Sequence, residues 1–84
     1  MQANPLISDD FVDAIKLLSC FELDNLQQGI KLHQECDPTL RQAADRLHLK
    51  GVLTAADGGY LTPFGMTLRE QLQPLINALA EPSR

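Results

Sequence analysis

The chain has 84 residues, of which 44% are hydrophobic, and a formal net charge of −4. This length supports one modest core, so we expect a single domain over residues 1–84. No apolar run approaches the roughly 18 residues that a membrane span needs, and the N-terminus lacks a signal-peptide pattern. We therefore expect a cytoplasmic protein with no membrane contact. A net acidic charge also excludes a generic nucleic-acid binder that relies on overall charge.

The two cysteines, Cys20 and Cys36, are too few for a disulfide framework and too far apart for a paired zinc knuckle. We expect reduced, partly buried thiols. The nearest approach to a metal site is His33, Cys36 and Asp37, with His48 as a fourth ligand. Closed zinc sites usually contain two paired ligand sets, so this pattern favours an ordinary helix boundary with no metal or cofactor.

The first helix is predicted to start after Ser8, its N-cap, and to run to about Ser19. Asp9 and Asp10 follow the cap, where the helix dipole stabilises carboxylates, and apolar residues then repeat at helical spacing. Residues 1–7 and 81–84 show no periodic pattern. We expect both ends to be loosely held or disordered.

A second helix is predicted over Asn25–Gln34, because apolar residues recur at helical spacing after the cap candidate Asp24. Gly29 within it costs about 1 kcal/mol relative to alanine. The same segment also alternates as a strand would, so a strand remains the alternative.

A third helix is predicted over 38–50, since Asp37 can cap it and Pro38 suits its first position. One face is apolar and small, which would let this helix approach the second helix closely, as in a helix-turn-helix. Its members are Leu40, Ala43, Ala44 and Leu47. Leu49 falls on the opposite side.

The stretch from Lys50 to Thr62 predicts a helix end, a strand, a tight turn and a returning strand. Asp57-Gly58 is a strong hairpin signal, and Thr62 then caps a last helix from Pro63 to about Ala80, which Pro74 should kink. The expected fold class is mainly α with a small β-hairpin, a winged helix-turn-helix of order α-α-α-β-β-α.

Charge is unevenly distributed along the chain. Between Pro38 and Lys50 there are three basic residues and one acid, a net of +2, against four basic and ten acidic residues elsewhere. In a helix-turn-helix this helix would enter the major groove of DNA, where arginine and glutamine pair with guanine and adenine. The candidate nucleic-acid-binding residues are Lys31, Thr39, Arg41, Gln42, Arg46 and Lys50. The hairpin tip, residues 55–59, carries Asp57 and no basic residue.

Two sets of residues carry a family resemblance. The run from Leu47 through Lys50-Gly51-Val52-Leu53 to Asp57-Gly58-Gly59-Tyr60-Leu61-Thr62-Pro63 and Gly65 resembles bacterial winged-helix regulators. Gly29-Ile30-Lys31, His33, Asp37-Pro38 and the same hairpin are similar to a small family of bacterial conserved hypothetical proteins, labelled as DNA-binding proteins or transcriptional regulators. The resemblance implies a winged-helix fold and a DNA-binding activity.

Three functional hypotheses follow. The leading one is a winged-helix DNA-binding protein, a transcriptional regulator that contacts double-stranded DNA with helix 38–50. The alternative is an acidic winged-helix module, an adaptor or inhibitor of a regulator, that binds protein without binding DNA, with Leu49 as an outward apolar anchor. An enzyme is disfavoured, because no catalytic motif is present.

A homodimer is also predicted, because the last helix carries more apolar residues than a core of this size requires. The residues assigned to this interface are Leu72, Leu75, Ile76 and Leu79. The first helix would supply the complementary surface. The alternative is that the first and last helices pack on each other within one chain and cover both faces.

Overall fold

The computed structural model describes residues 3–32 and 37–80. Its helices are α1 (Asp9–Ser19), α2 (Pro38–Leu49) and α3 (Pro63–Leu79), with a short 3₁₀ turn at Leu23–Asn25. Its strands are β1 (Ile30–Lys31), β2 (Leu53–Ala55) and β3 (Gly58–Leu61), which form one antiparallel sheet in the order β1-β3-β2. A mainly α fold with a hairpin before the last helix confirms the predicted winged-helix-like class.

All three α-helices begin where the sequence predicted. The side chains of Ser8, Asp37 and Thr62 each accept a hydrogen bond from a backbone N–H two or three residues later, at 3.3, 2.9 and 3.0 Å. These bonds satisfy donors that have no partner within the helix. At the end of α2, Lys50 is the C-cap and Gly51 has a φ of +79°, the left-handed conformation that glycine adopts without strain.

The predicted second helix, Asn25–Gln34, is wrong over its described residues, 25–32. The chain instead forms the 3₁₀ turn and then β1, the strand alternative. Gly29 explains part of the difference, because a Cβ at this position would lie 2.8 Å from the ring of Tyr60. Pairing with β3 also satisfies backbone groups that a hairpin alone would leave at a sheet edge.

The two glycines of β3 let β1 approach closely. Ile30 pairs with Gly59 and Lys31 with Gly58, and a Cβ on Gly58 would lie 2.7 Å from the carbonyl oxygen of Ile30. The sequence predicted a tight turn at Asp57-Gly58. The turn itself is Ala56-Asp57, and both glycines have positive φ within the returning strand.

The core lies between α1, α2 and the sheet. Its buried hydrophobic residues are Leu17, Leu18, Phe21, Ala43, Ala44, Leu47, Val52, Leu53, Leu61 and Leu72. Ala43 and Ala44 are fully buried, and α2 packs against α1 and β2. The small face of α2 therefore contacts these elements instead of the second helix that we had predicted.

One charged residue, Arg69 of α3, lies inside the fold at 5% exposure. Its Nε donates a 2.6 Å hydrogen bond to the carbonyl oxygen of Phe21, just beyond the C-terminus of α1, and Nη2 donates to Gln73 at 3.1 Å. Its Nη1 has no hydrogen-bond partner within the described residues. The negative end of the α1 dipole stabilises the buried cation. The hydrogen bond from Arg69 to Phe21 connects α3 to the end of α1.

Two further observations bear on the sequence predictions. Cys20 is exposed, so the prediction that it is partly buried is wrong, and Cys36 lies outside the described residues. In the described ranges, no helix combines the length and apolar character needed to cross a bilayer.

Candidate nucleic-acid interface and helical groove

The outer face of α2 and the hairpin turn form a cleft of about 620 Å³, which we call the α2-hairpin cleft. Its lining residues are Pro38, Arg41, Gln42, Asp45, Arg46, Ala56 and Asp57. The structure thus brings Arg41, Gln42 and Arg46, three of the six predicted nucleic-acid-binding residues, into one place. It also places two carboxylates among them.

The charges in this cleft are mixed. Asp45 and Asp57 line it together with Arg41 and Arg46. The Nη2 of Arg46 lies 3.7 Å from the carboxylate of Asp10 on α1 and also donates to its backbone oxygen at 3.3 Å. The +2 charge of helix 38–50 already includes Asp45, and Asp10 and Asp57 from other elements offset it further, so the attraction for a phosphate backbone is weakened.

The other three predicted residues lie apart. The Thr39 hydroxyl donates a 2.9 Å hydrogen bond to the Asp37 carboxylate within the N-cap. Lys31 is exposed on β1 opposite Gly58, near the hairpin turn. Lys50, at the far end of α2, faces a different surface. Because the N-cap and Lys50 are separated by the length of a 12-residue helix, about 18 Å, the six residues do not form one compact patch.

Asp37 is the residue whose ionisation responds most clearly to this local structure. The backbone N–H of Thr39, followed by its hydroxyl, donates to the carboxylate and lowers the pKa of Asp37 below its ordinary value of 3.8. The hydrogen bonds favour the charged form. The negative charge of Asp37 interacts favourably with the positive end of the α2 dipole and so stabilises the helix. The same end of a helix can bind a phosphate, and the carboxylate would repel one there.

The candidate metal ligands are only partly described. His33 and Cys36 lie outside the described residues. The Nδ1 of His48 lies 3.2 Å from the carbonyl oxygen of Leu53, a contact between α2 and β2. Within residues 3–32 and 37–80, no three His, Cys, Asp or Glu side chains are grouped to hold a metal ion.

A second surface lies where all three α-helices meet. This helical groove has a volume of about 660 Å³ and is mostly apolar. Its walls come from α1 and α3, with Phe11, Ile15, Phe64 and Leu68 as the large side chains. Its base consists of core residues, namely Leu18, Leu47, Val52 and Leu72. Three charged residues, Asp10, Arg46 and Lys50, also line it.

The predicted protein-interface residues fall into different environments. Leu49, Leu75 and Leu79 are 77%, 54% and 75% exposed, whereas Ile76 is partly buried. Leu72 is only 6% exposed and lines the base of the groove. Three of the five side chains are therefore free to contact another molecule directly.

Sequence reasoning missed the aromatic residues of the groove. Phe11 and Phe64 were not among the predicted interface residues, yet they are 44% and 55% exposed. The available signal was the length of the α3 stripe, which exceeds what one small core can cover. Nothing in the sequence pattern indicated which members of the stripe would remain outside.

The chain was compared with known proteins and families. Neither the curated proteins nor the solved structures gave a match. A family model described as a family of unknown function, DUF5669, matches residues 5–80. This range takes in α1, α2, α3 and the whole sheet. The chain therefore belongs to DUF5669.

Proposed function

We propose that the chain is an acidic, winged-helix-like protein-interaction module whose docking surface is the helical groove. The observation that supports this best is the exposure of Phe11 and Phe64 on the walls of a 660 Å³ apolar groove. Two half-exposed aromatic rings over an apolar base are typical of an interface with an apolar helix, because aromatic side chains contribute most to such contacts.

The charge of the chain also favours protein binding over DNA binding. The chain carries a net charge of −4, and acidic side chains accompany the arginines in the α2-hairpin cleft. An interface that gains its affinity from apolar burial does not require a positive surface, whereas nearly all non-specific DNA affinity does.

The proposal is tested by placing a photo-crosslinking amino acid in the full chain inside living cells. The probe replaces Phe64 in the groove, Leu49 at the end of α2, or Asn77, an exposed residue on another face of α3. We expect discrete, light-dependent adducts from position 64 and none from position 77. Mass spectrometry then identifies the crosslinked protein.

The Leu49 probe distinguishes two docking surfaces. Adducts from position 49 but none from position 64 would overturn the groove and favour the anchor that the sequence suggested. Absence of adducts from both positions would overturn the proposed function.

A second candidate function is DNA binding through α2. It is favoured by the exposure of Arg41 and Gln42 in the first turns of α2, next to the hairpin turn, and by the resemblance of the hairpin to winged-helix regulators. Arginine and glutamine at this place on a helix are suited to contact base edges.

This candidate is tested by fluorescence anisotropy with duplex DNA fragments at low salt. If it is correct, binding occurs below tens of micromolar protein, Arg41→Ala weakens it selectively at certain sequences, and Lys50→Ala weakens it uniformly. Absence of binding at that concentration excludes it.

A further inference from the structure

Apolar residues on one face of α3 form a stripe. Phe64, Leu68, Leu75 and Leu79 are separated by four, seven and four residues. At about 100° per residue, these intervals place all four side chains within an arc of about 60°. Three of the four are more than half exposed, and Leu68 is partly buried. The stripe therefore runs the length of the helix, and the described chain covers little of it.

The intervals of four, seven and four residues are the same whether the stripe is followed from its N-terminal or its C-terminal end. A twofold axis placed between Gln71 and Leu72 relates Phe64 to Leu79 and Leu68 to Leu75. Two copies of α3 that pack antiparallel thus bring each apolar residue opposite another one. Such self-complementarity is the property that an isologous interface requires.

The helical groove contains half of this stripe. Phe64 and Leu68 line the groove, whereas Leu75 and Leu79 extend beyond it along α3. In the antiparallel arrangement, Leu75 and Leu79 of one copy lie against the groove of the other. The second copy therefore has the apolar side chains, at the right interval, to cover Phe11 and Phe64.

Polar groups are consistent with this orientation. The last turn of α3 contains no basic residue, so no side chain of that turn compensates the negative end of the helix dipole. The antiparallel arrangement places this end near Phe64, where Lys50 lines the groove. Gln71, which is exposed and lies next to the axis, would meet its symmetry mate, and an amide can both donate to and accept from another amide.

We infer that the occupant of the groove is a second copy of this chain, and that the protein forms an isologous dimer through antiparallel α3 helices centred between Gln71 and Leu72. This inference rests on the proposed function and names its partner. The dimer interface predicted from the sequence thereby gains Phe64 and Leu68 of α3 and the wall of the groove on α1.

Sedimentation of the full chain over a range from about 1 to 200 μM tests the dimer. We expect a mass of twice 9.3 kDa at the upper end. Leu79→Asp should weaken association at least tenfold, because it places a carboxylate opposite Phe64. Asn77→Asp is the matched control: it adds the same charge to an exposed site two residues away, on the other side of α3. Circular dichroism confirms that both variants fold.

Disulfide trapping tests the orientation. With Cys20 and Cys36 replaced by serine, Leu68→Cys and Leu75→Cys chains are oxidised separately and then as a mixture. Antiparallel packing predicts efficient crosslinking of the mixture and little of either chain alone. Efficient crosslinking of each chain with itself would indicate parallel helices and overturn the arrangement.

The failure of this inference differs from the failure of the proposed function. A monomer at all concentrations, or a dimer that Leu79→Asp leaves intact, overturns the inference. If the chain is monomeric while position 64 crosslinks to a different protein in cells, the protein-interaction function stands and only its partner changes. An adduct of two copies of the chain at position 64 supports both.

Discussion

Helices α2 and α3 are both amphipathic, but the fold uses them differently. The 12-residue α2 has three buried residues, two of them fully buried alanines, and packs between α1 and β2. The 17-residue α3 also has only three, namely Gly65, Arg69 and Leu72, and one of these is charged. The longer helix thus has one buried large apolar side chain, Leu72, while Met66 and Ile76 pack partly buried against the core. Its apolar residues on the neighbouring face form the stripe and one wall of the helical groove.

This difference shows that an apolar stripe does not identify its own partner. On α2, the stripe is narrow and faces elements of the same chain, so it is a core surface. On α3, the buried face starts with Gly65, where an added Cβ would collide with the carbonyl oxygen of Val52, and continues to Arg69. Close backbone contact and one buried hydrogen-bonded cation fix α3 in place, while the apolar stripe remains for another interface.

The largest effect is expected when a buried leucine of α2 is compared with an exposed leucine of α3. Leu47→Ala should lower the free energy of unfolding by about 3 kcal/mol, because it removes a buried side chain and leaves a cavity. Leu79→Ala, at 75% exposure, should change it by less than about 0.5 kcal/mol at low micromolar concentration. Urea denaturation provides both values. Leu72→Ala is the control, since that buried leucine of α3 should behave like Leu47. A large effect of Leu79→Ala in the monomer would contradict the comparison.

Removal of the buried cation should have the next largest effect. Arg69→Ala leaves the carbonyl oxygen of Phe21 without its charged donor, and we expect a loss of about 2 kcal/mol. Glu70→Ala, at the exposed neighbouring position, should stay within about 0.5 kcal/mol. Thermal and urea denaturation measure the difference. Equal effects of the two substitutions would show that Arg69 does not connect α3 to α1.

A smaller effect is expected at the start of α3. Thr62→Ala removes the oxygen that accepts from the N–H of Gly65 at the N-cap, together with the hydroxyl that donates to the carbonyl oxygen of Gly51, and should cost about 1 kcal/mol. Thr67→Ala is a matched control, because its hydroxyl only donates to the Pro63 carbonyl within the helix. If both threonine variants were equally stable, the cap would not determine where α3 begins.

The smallest effect is the pH dependence of the α2 cap. The pKa of folded Asp37 is lowered from 3.8 by the N–H of Thr39, so its stabilising contribution is complete above pH 3.8 and is lost as the pH falls through the folded value. Asp37→Asn retains a capping oxygen without this titration. The stability advantage of the natural chain over Asp37→Asn should therefore decrease as the pH is lowered below 3.8, as urea titrations at each pH would show. A constant difference would exclude a contribution from this carboxylate.

Local signals in the sequence determined the helix starts and the hairpin. Ser8, Asp37 and Thr62 are capping residues whose hydrogen bonds reach only two or three residues ahead, so their role is visible without a fold. The same holds for Gly51, which ends α2. The exposed position of Leu49 also followed from helical spacing alone.

Features that depend on residues distant in the chain were decided by the tertiary structure. Gly29-Ile30-Lys31 fits a helix or a strand locally, and the choice came from the open edge of β3, about thirty residues later. The +2 charge of helix 38–50 was correct by sequence, but Asp10 and Asp57 reach its surface from other elements. Likewise, spacing could identify the α3 stripe, but only packing showed that Phe64, Leu75 and Leu79 remain exposed, because burial depends on the neighbours that the whole fold provides.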